Sequence, residues 1–469
     1  MKRNVTLVFP TGHYESLMGH LFPGDGDEHA AILSAGYSSA DGDLRLLVRD
    51  VHLAAEGSDY KAGNSGYKAL QASFIHRQVT RCRDRNLAYI AVHNHGGRDS
   101  VAFSSVDLAS HERGYPALLD IAGGPPIGAA VAAQNAFEVD IWLPGGERLA
   151  LKRALIVGDR FQRVYSSARI READQQPTIW SSTNGHHDRQ ELFLGHRGQA
   201  LLSRAKVAVI GLGGIGSIVN EQLARLGVGS ILLVDPDRIE SSNFSRIVGA
   251  TTQDLEGASL KIDIAARLAR EANSRVNLEL LPNDMAFSSV AGRVKNVDYI
   301  FLAADTMRAR LVFNSIVQQY YVPGVQMGSK LTVDPTTGSI QAAYSVVREV
   351  RPGSGCLLCN QLIDPVKLAD EWKTDRERAE QHYGTAVPNP SVITLNAIAA
   401  SHAVNAFFFW YTGIRTDTGA PAYRRFDHLT GRSILEIPRR NSECPECSTA
   451  AHSRLGTGDA QQLPTSPHF

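Results

Sequence analysis

The segment Ala205–Asp237, with the sequence AKVAVIGLGGIGSIVNEQLARLGVGSILLVDPD, predicts the fold of the second half of the chain. An apolar run leads into GLGGIG at 211–216, a helical stretch follows, and a second apolar run ends at Asp235. This order of strand, glycine turn, helix and strand forms a βαβ unit, from which parallel sheets are built. We therefore predict an α/β fold in which this half carries a Rossmann-like, mostly parallel sheet.

The glycine turn also predicts a nucleotide site. It fits G-x-G-x-x-G, in which glycines let backbone amides at a helix N-terminus approach phosphate, and the acidic residue after the next strand can hold a ribose hydroxyl. By itself this pattern favours a nicotinamide dinucleotide. The candidate residues are Gly211, Gly213, Gly214, Gly216 and Asp235.

Polar residues further along the chain favour ATP instead. Asp237, Asn243 and Arg246 follow the second strand, and Lys261 and Asp305 come later. A hydride-transfer site does not require these charged side chains. Phosphoryl chemistry does, because cations offset the developing charge and a carboxylate binds magnesium. Taken one at a time, the same residues could be a turn residue, solvated surface charges or a helix cap.

This half resembles the ThiF/MoeB adenylyltransferases, which share their fold with ubiquitin-activating enzymes. The resemblance implies that Asp235 holds the ribose of ATP and that cations surround its phosphates. The residues implied are Asp235, Asp237, Asn243 and Asp305 for the nucleotide and Mg²⁺, and Arg246, Lys261 and Arg189 for catalysis. In this family Arg189 would enter the ATP site of the partner subunit, so a homodimer is expected.

Four of the five cysteines form two C-x-x-C pairs, which indicates a metal rather than disulfides. Cys356, Cys359, Cys444 and Cys447 supply enough thiolates to close a tetrahedral structural zinc site, and the ThiF-like family often has this pair of pairs. With no open position, such a zinc does no chemistry. The remaining Cys82 is predicted to be an ordinary helix cysteine.

The chain has no obvious thiol to accept an activated acyl group. Ubiquitin-activating enzymes pass the acyl group to a cysteine after the first C-x-x-C, but residues 369–396 contain none. Either the acyl-adenylate is released to a partner, which we rank first, or a hydroxyl such as Thr385 or Ser391 accepts it. An oxyester would need a base beside that weak nucleophile.

A second constellation, HNHGGRDSVAFSSVD, spans His93–Asp107. LAYIAVH reads as a strand, in which alternate side chains share a face, so His93 and His95 point the same way. Ser104 and Asp107 have the spacing of a helix capping box, which is the structural alternative. Two imidazoles and a carboxylate would leave one zinc position open for water, as in catalytic sites.

Residues 1–165 resemble the JAB/JAMM metallopeptidases, which cleave after the C-terminal glycine of ubiquitin-like proteins. The resemblance implies zinc ligands at His93, His95 and Asp107, with Ser104 steadying the tetrahedral intermediate. Glu28 is the best candidate for the family's upstream glutamate, and Glu15 is a weaker one. Eight residues rather than seven separate His95 from Ser104, and Gly96 replaces the usual proline.

The composition sets limits on partners and location. Lysine plus arginine equals aspartate plus glutamate at 48 each, so no net field favours nucleic acid or an anionic membrane. The apolar runs fall short of the ~20 residues of a membrane helix, and no signal peptide is evident. We expect a cytoplasmic protein that binds neither nucleic acid nor a membrane.

Changes in composition divide the chain into four parts. We predict a JAB/JAMM-like domain at 1–165, a polar linker at 166–188, a ThiF/MoeB-like domain at 189–449 and a flexible tail at 450–469.

Together the two domains suggest a bifunctional enzyme that acts on one chemical group, the C-terminal glycine of a ubiquitin-like protein. One half would adenylate it with ATP, Mg²⁺ and a conjugating partner, and the other would hydrolyse after it with Zn²⁺. The alternatives are activation of a sulfur carrier, or an adenylating enzyme with a non-catalytic JAB-like binding module.

Overall fold

The chain forms two compact units. The computed structural model describes residues 3–40, 42–61, 69–167, 170, 185, 187–373, 390–414 and 423–467. Unit 1 comprises Met1–Gln176, Gln319–Tyr321 and Ala451–Gln462, and unit 2 comprises Pro177–Gln318, Val322–Ala450 and Leu463–Phe469.

Unit 1 is built on an eight-stranded sheet with helices packed on both faces. Its strands are β1 (Val5–Pro10), β2 (Ala30–Ala40), β3 (Asp43–Leu53), β4 (Ala88–Asn94), β5 (Ile127–Ala132), β6 (Phe137–Trp142), β7 (Arg148–Val157) and β8 (Phe161–Val164). Its helices are α1 (Thr11–Leu21), α2 (Ala72–Asp84) and α3 (Ser105–Ala122). The strand order is β1-β3-β2-β4-β5-β6-β7-β8, and because β1 also pairs with β7, the sheet closes on itself.

Alternation along the strands separates two hydrophobic cores in unit 1. Leu33, Ile90 and Val92 belong to the core that packs against α1. The other core holds Ile32 and Tyr89, together with side chains of α2 and α3. His93 follows the parity of Tyr89, so it lies on the α2 and α3 face, as does the next alternate residue, His95.

Unit 2 is built on a second eight-stranded sheet. Its strands are β9 (Lys206–Ile210), β10 (Ser230–Val234), β11 (Asn277–Leu281), β12 (Tyr299–Leu302), β13 (Gly324–Val333), β14 (Ile340–Val350), β15 (Tyr423–Asp427) and β16 (Arg432–Glu436). Its helices are α4 (Asp188–Leu202), α5 (Gly214–Arg225), α6 (Ser241–Phe244), α7 (Thr252–Glu256), α8 (Lys261–Ala272), α9 (Ser288–Val294), α10 (Met307–Tyr320), α11 (Pro365–Glu371) and α12 (Ile393–Thr412).

The second sheet has the order β11-β10-β9-β12-β13-β14-β15-β16. The first five strands pair in parallel, and the last three extend this parallel part with antiparallel pairings. From β9 the chain adds β10 and β11 on one side, and it then returns to add β12 on the other side of β9. In open α/β sheets ligands bind at such a switch point, outside the carboxyl ends of the strands.

Helix α12 is the one described helix with the length and composition of a membrane span. Its Ala399, Ala403 and Phe407 are fully buried, and Asn396 is 2% exposed. A helix in a protein core passes the same test as a membrane span, so this composition gives only weak evidence for a membrane.

The segment predicted to be a flexible tail packs against the rest of the protein. In unit 1, the buried Arg49 donates hydrogen bonds to the carbonyl oxygens of Ser453 (2.9 Å) and Leu455. A Cβ on Gly456 would lie 2.2 Å from the hydroxyl of Tyr321, so only glycine permits this close approach. Hydrogen bonds from Arg49 to backbone carbonyls therefore hold a segment whose polar composition predicted a mobile tail.

Most of the predicted linker at 166–188 lies outside the described residues. Its first two residues form backbone interactions. Ser167 forms an isolated antiparallel β-bridge with Ser100, and the amide of Val101 donates to the carbonyl oxygen of Ser166 at 2.9 Å. Structure therefore continues into the start of the segment that the sequence predicts to be a linker.

Candidate functional sites

The H-x-H motif in unit 1 brings three metal-ligating side chains together. The Nε2 atoms of His93 and His95 lie 3.0 Å apart, and carboxylate oxygens of Asp107 lie 3.5 Å and 3.4 Å from them. Ligands about 2.0–2.1 Å from a tetrahedral zinc would lie about 3.3–3.4 Å apart, which is close to the observed spacing. The donor set and its geometry therefore fit a zinc ion with an open fourth position.

The carboxylate of Asp107 belongs to the capping box and is also a candidate metal ligand. Asp107 Oδ2 accepts hydrogen bonds from the amide (2.8 Å) and the hydroxyl (2.7 Å) of Ser104, while the amide of Asp107 donates to Ser104 Oγ at 3.1 Å. The structural alternative thus forms, and it fixes Asp107 at the start of α3, facing both histidines. Burial alone raises the pKa of Asp107, but hydrogen bonds from His93 and Ser104 outweigh it and hold the pKa well below its usual range.

A second hydrogen bond orients one of the histidines. His95 Nδ1 lies 3.1 Å from the carbonyl oxygen of Ala102, which can accept its proton. That tautomer leaves the lone pair on Nε2 directed at the cluster, as metal-binding histidines require.

The two candidates for the upstream glutamate occupy different places. Glu28 is half-buried and lies two residues before Ala30, which pairs with His93. The amide of Asn94 donates to the carbonyl oxygen of His29 (3.3 Å), which ties this segment to β4. Glu15 lies on α1, which packs on the opposite face of the sheet, and its carboxylate is 3.5 Å from Arg160. The geometry therefore favours Glu28.

A buried network that the sequence analysis missed anchors α3. Asp140 accepts hydrogen bonds from Trp142 Nε1 (3.1 Å) and from the guanidinium of Arg148, and it lies 2.9 Å from His111 Nδ1. His111 is one helical turn after Asp107. Burial raises the pKa of Asp140, but the hydrogen bonds from His111, Arg148 and Trp142 outweigh it and lower the pKa to about 2.

We expect Asp140→Asn to destabilise unit 1 by about 2–3 kcal/mol at pH 7, because it removes the buried carboxylate that His111 and Arg148 share and leaves Arg148 only the more exposed Glu112. A group whose pKa is lowered by folding stabilises the protein above its unfolded pKa, here about 3.9, and loses that effect as the pH falls. The difference between wild type and variant should therefore shrink from pH 4 towards pH 2.

Urea unfolding at pH 7, 4 and 2.5 measures this difference, with the exposed Asp84→Asn as the control. Equal stability of wild type and Asp140→Asn at pH 7 would contradict the role given to this network.

In unit 2 the glycine loop lies at the carboxyl end of β9. Gly211 has φ of +85°, and a Cβ there would lie 2.7 Å from the backbone nitrogen of Ala304. Only glycine therefore lets the loop approach the segment that carries Asp305. A Cβ on Gly213, the N-cap of α5, would meet nothing within 4 Å. That open side is where a phosphate could approach the helix N-terminus.

Asp235 holds the backbone of this loop through hydrogen bonds. It is 4% exposed, and its two oxygens accept hydrogen bonds from the amides of Leu212 (2.5 Å) and Asp237 (2.8 Å). Burial raises the pKa of Asp235. Because a carboxylate can accept about four hydrogen bonds, Asp235 keeps capacity for a ribose hydroxyl.

The predicted cations lie around the same loop. Lys261 Nζ is 2.8 Å from the carboxylate of Asp237. Arg246 packs against the loop, since a Cβ on Gly214 would be 3.2 Å from its Cδ, and it donates to the carbonyl oxygen of Ser242 at 2.7 Å. A nucleotide phosphate would therefore meet two positive side chains at this edge of the sheet.

The other residues predicted for the nucleotide site have fewer contacts with the glycine loop. Asn243 Oδ1 accepts a hydrogen bond from the amide of Glu240 (3.0 Å), so this side chain caps α6. Asp305 is exposed three residues after β12. Arg189 is exposed at the start of α4, and in the described part of the chain no contact joins it to the glycine loop.

Asn396, which the sequence analysis missed, lies against the glycine loop. A Cβ on Gly214 would be 2.4 Å from its Nδ2 atom. Asn396 accepts from Ser329 Oγ (3.0 Å) and donates to Ser391 Oγ (3.1 Å), so Ser391 lies near the loop. The sequence offered one signal for this role, an asparagine near the start of a largely apolar helical stretch. Thr385 lies outside the described residues.

The four cysteines predicted to bind zinc form one cluster. Cys356 Sγ lies 3.8 Å from Cys444 Sγ, and Cys359 Sγ lies 3.6 Å from Cys447 Sγ. All four sulfurs lie within 4.8 Å of one another. Tetrahedral zinc with Zn–S near 2.3 Å requires S···S distances of about 3.8 Å, so the donor set fits structural zinc.

Cys82 is a buried helix cysteine, as predicted. It is 1% exposed on α2, and its Sγ lies 3.2 Å from Ser34 Oγ. Burial raises its pKa to about 11, which suppresses the thiolate that a nucleophile needs.

Comparisons with known proteins match the second half of the chain. Residues 187–448 match the model of the ThiF family. Sulfur carrier protein ThiS adenylyltransferase of Bacillus subtilis (strain 168) is 32% identical over 270 residues, 56% of this chain and 72% of that protein. Ubiquitin-like modifier-activating enzyme 5 of Drosophila willistoni is 28% identical over 184 residues, 36% of this chain and 42% of that protein.

Among solved structures, E. coli MccB with ATP matches with a TM-score of 0.44 and 20% identity, covering 57% of this chain and 76% of that one. The family match begins at residue 187, so the JAB/JAMM resemblance of residues 1–165 stays a prediction.

Proposed function

The chain belongs to the ThiF family of adenylyltransferases, and from this we propose that unit 2 adenylates the C-terminal glycine of a ubiquitin-like or sulfur-carrier protein. The relatives named above act on a sulfur carrier or a ubiquitin-like modifier, which supports this substrate class. The observation that carries the proposal is the open side of Gly213, which lies at the same edge of the sheet as Asp235, Lys261 and Arg246.

The proposed reaction joins a carboxylate to the α-phosphate of ATP. A carboxylate oxygen of the protein substrate attacks the α-phosphorus, the bond to the bridging oxygen breaks, and pyrophosphate leaves with its electron pair. Asp235 would hold the ribose, and Lys261 and Arg246 would offset charge on the phosphates. Asp305 would hold Mg²⁺, which neutralises charge on the phosphate oxygens when it is bound.

A homodimer is part of this proposal. Arg189 faces solvent at the start of α4, close in sequence to Leu192 and Phe193, which are 89% and 63% exposed. Exposed apolar side chains of this size favour burial against another surface. A second copy covering α4 would bring Arg189 towards the partner's ATP site, and we further propose that a conjugating enzyme receives the activated acyl group.

We propose that unit 1 is a zinc peptidase that acts after the same C-terminal glycine. His93, His95 and Asp107 would hold Zn²⁺, which lowers the pKa of a bound water to about 7 when present. Glu28 would take the proton from that water, and the hydroxyl of Ser104, which donates to Asp107 in this structure, would turn its proton to the developing oxyanion. The cluster geometry described above supports this half of the proposal.

Two variants separate the two activities. The substrate to test is a ubiquitin-like or sulfur-carrier protein ending in glycine, with or without an extension after that glycine. We expect His95→Ala to lose removal of the extension by about 10³-fold while ATP–pyrophosphate exchange stays unchanged. His52→Ala, on β3 away from the cluster, is the control.

Loss of exchange together with cleavage would argue against independent sites. Unchanged cleavage in His95→Ala would leave unit 1 as a binding module. A requirement for a sulfur donor in product formation would select the sulfur-carrier alternative, which the ThiS adenylyltransferase relative favours.

A further inference from the structure

A cavity of about 70 Å³ lies in unit 2 on the antiparallel part of the sheet. We call it the arginine cavity, because its lining includes Arg348, Arg424 and Arg425, with Tyr344, Tyr423 and Glu436. Arg348 on β14 pairs directly with Tyr423 on β15, so both side chains rise from the same face of the sheet. None of these residues belongs to the nucleotide site or to the cysteine cluster.

The lining carries more positive charge than its partners neutralise. Among the described residues, the one carboxylate that lines the cavity is Glu436, which lies 3.8 Å from Arg425, and the two side chains are 51% and 40% exposed. Arg348 donates instead to the neutral amide oxygen of Gln326 at 2.6 Å. Within the described ranges no carboxylate forms an ion pair with Arg348 or Arg424. Burial, and after it the charge of Arg310, lowers the pKa of Arg348, and the attraction of Glu436 does not offset them.

A buried hydroxyl in the same lining also lacks a partner. Tyr423 is 5% exposed, and its Oη atom has no hydrogen-bond partner among the residues that the structure describes. Buried tyrosine hydroxyls are almost always hydrogen-bonded, so this donor indicates an acceptor that the described residues do not provide. Arginine and tyrosine both donate here, so the missing group must accept hydrogen bonds and carry negative charge.

We propose that the arginine cavity binds a single oxyanion group, a carboxylate or a phosphate, held by Arg348 and the hydroxyl of Tyr423, which share one face of the sheet. A water molecule occupies about 30 Å³ in the liquid, so the cavity has room for one such group and not for a nucleotide. The carboxylate could come from an acidic side chain on a protein, and the phosphate from solution. This site does not depend on the proposed adenylation activity.

The test is anion-dependent thermal unfolding of the zinc-loaded full chain. The probes are sodium acetate and inorganic phosphate, each added at constant ionic strength adjusted with sodium chloride. We expect at least one of them to raise the unfolding temperature in a saturable way. Tyr423→Phe, which removes only the hydroxyl, should weaken the apparent affinity at least fivefold. Response to acetate alone identifies a carboxylate site, and response to phosphate alone identifies a phosphate site.

Two control variants show whether the anion binds in the arginine cavity or at the nucleotide site. Lys261→Ala removes a cation of the nucleotide site, and it should leave the anion response unchanged. Tyr411→Phe is the matched tyrosine control, since its buried hydroxyl already donates to Asp298 at 3.3 Å. A phosphate response that Lys261→Ala abolishes and Tyr423→Phe preserves would overturn the proposal, as would the absence of any saturable response.

Discussion

Asp305→Ala is expected to reduce substrate-dependent ATP–pyrophosphate exchange by about 10³-fold or more, because it removes the carboxylate proposed to hold Mg²⁺ beside the phosphates. Asp305 is exposed and follows β12 at the edge where Gly211 approaches Ala304. Its loss should therefore leave the fold intact. Peptidase activity of unit 1 should also be unchanged, since its candidate residues lie in the other unit.

The measurement is incorporation of labelled pyrophosphate into ATP at saturating ATP, with circular dichroism to show that the variant is folded. Glu256→Ala, which removes an exposed carboxylate from α7, is the matched control. Exchange within threefold of wild type would remove Asp305 from the proposed site. Equal loss of exchange and cleavage would instead indicate coupled sites.

Cys447→Ser is expected to release the structural zinc and destabilise unit 2 by several kcal/mol, because binding of a structural zinc contributes directly to folding. The cluster is joined to α10 from both sides. Asn314 accepts from the amide of Leu357 (2.9 Å) and donates to Glu446 (3.1 Å), which also accepts from Ser315 (2.8 Å). Since α10 begins two residues after Asp305, we expect exchange activity to fall with the metal.

Zinc content, thermal unfolding and exchange should change together in this variant. Cys82→Ala, which removes the one cysteine outside the cluster, should keep the wild-type zinc content. A Cys447→Ser protein with unchanged zinc and unchanged unfolding temperature would contradict the assignment of these thiolates as a structural site.

The sequence predicted those parts of the two sites that follow from local periodicity. The alternation of β4 placed His93 and His95 on one face, and the βαβ pattern placed the glycine loop at the carboxyl end of β9. The spacing of Ser104 and Asp107 predicted a capping box, which forms. In each case a short stretch of chain fixes the geometry.

Contacts between distant segments were beyond the reach of the sequence. Asn396 reaches Gly214 only because α12 packs beside α5, and Asp140 joins α3 to β6 and β7. The tail was predicted to be mobile because its composition is polar, yet Arg49 on β3 binds its carbonyl oxygens. Such pairings depend on tertiary packing, which periodicity and composition do not encode.

We propose that one chain carries an adenylating unit with a structural zinc and a second unit with a catalytic zinc. The most direct test is elemental analysis of zinc per chain, for wild type and for His95→Ala, purified without added metal. We expect two zinc ions in the wild type and one in the variant. One zinc ion in both proteins would contradict it, and would leave His93, His95 and Asp107 as a capped helix beside two histidines.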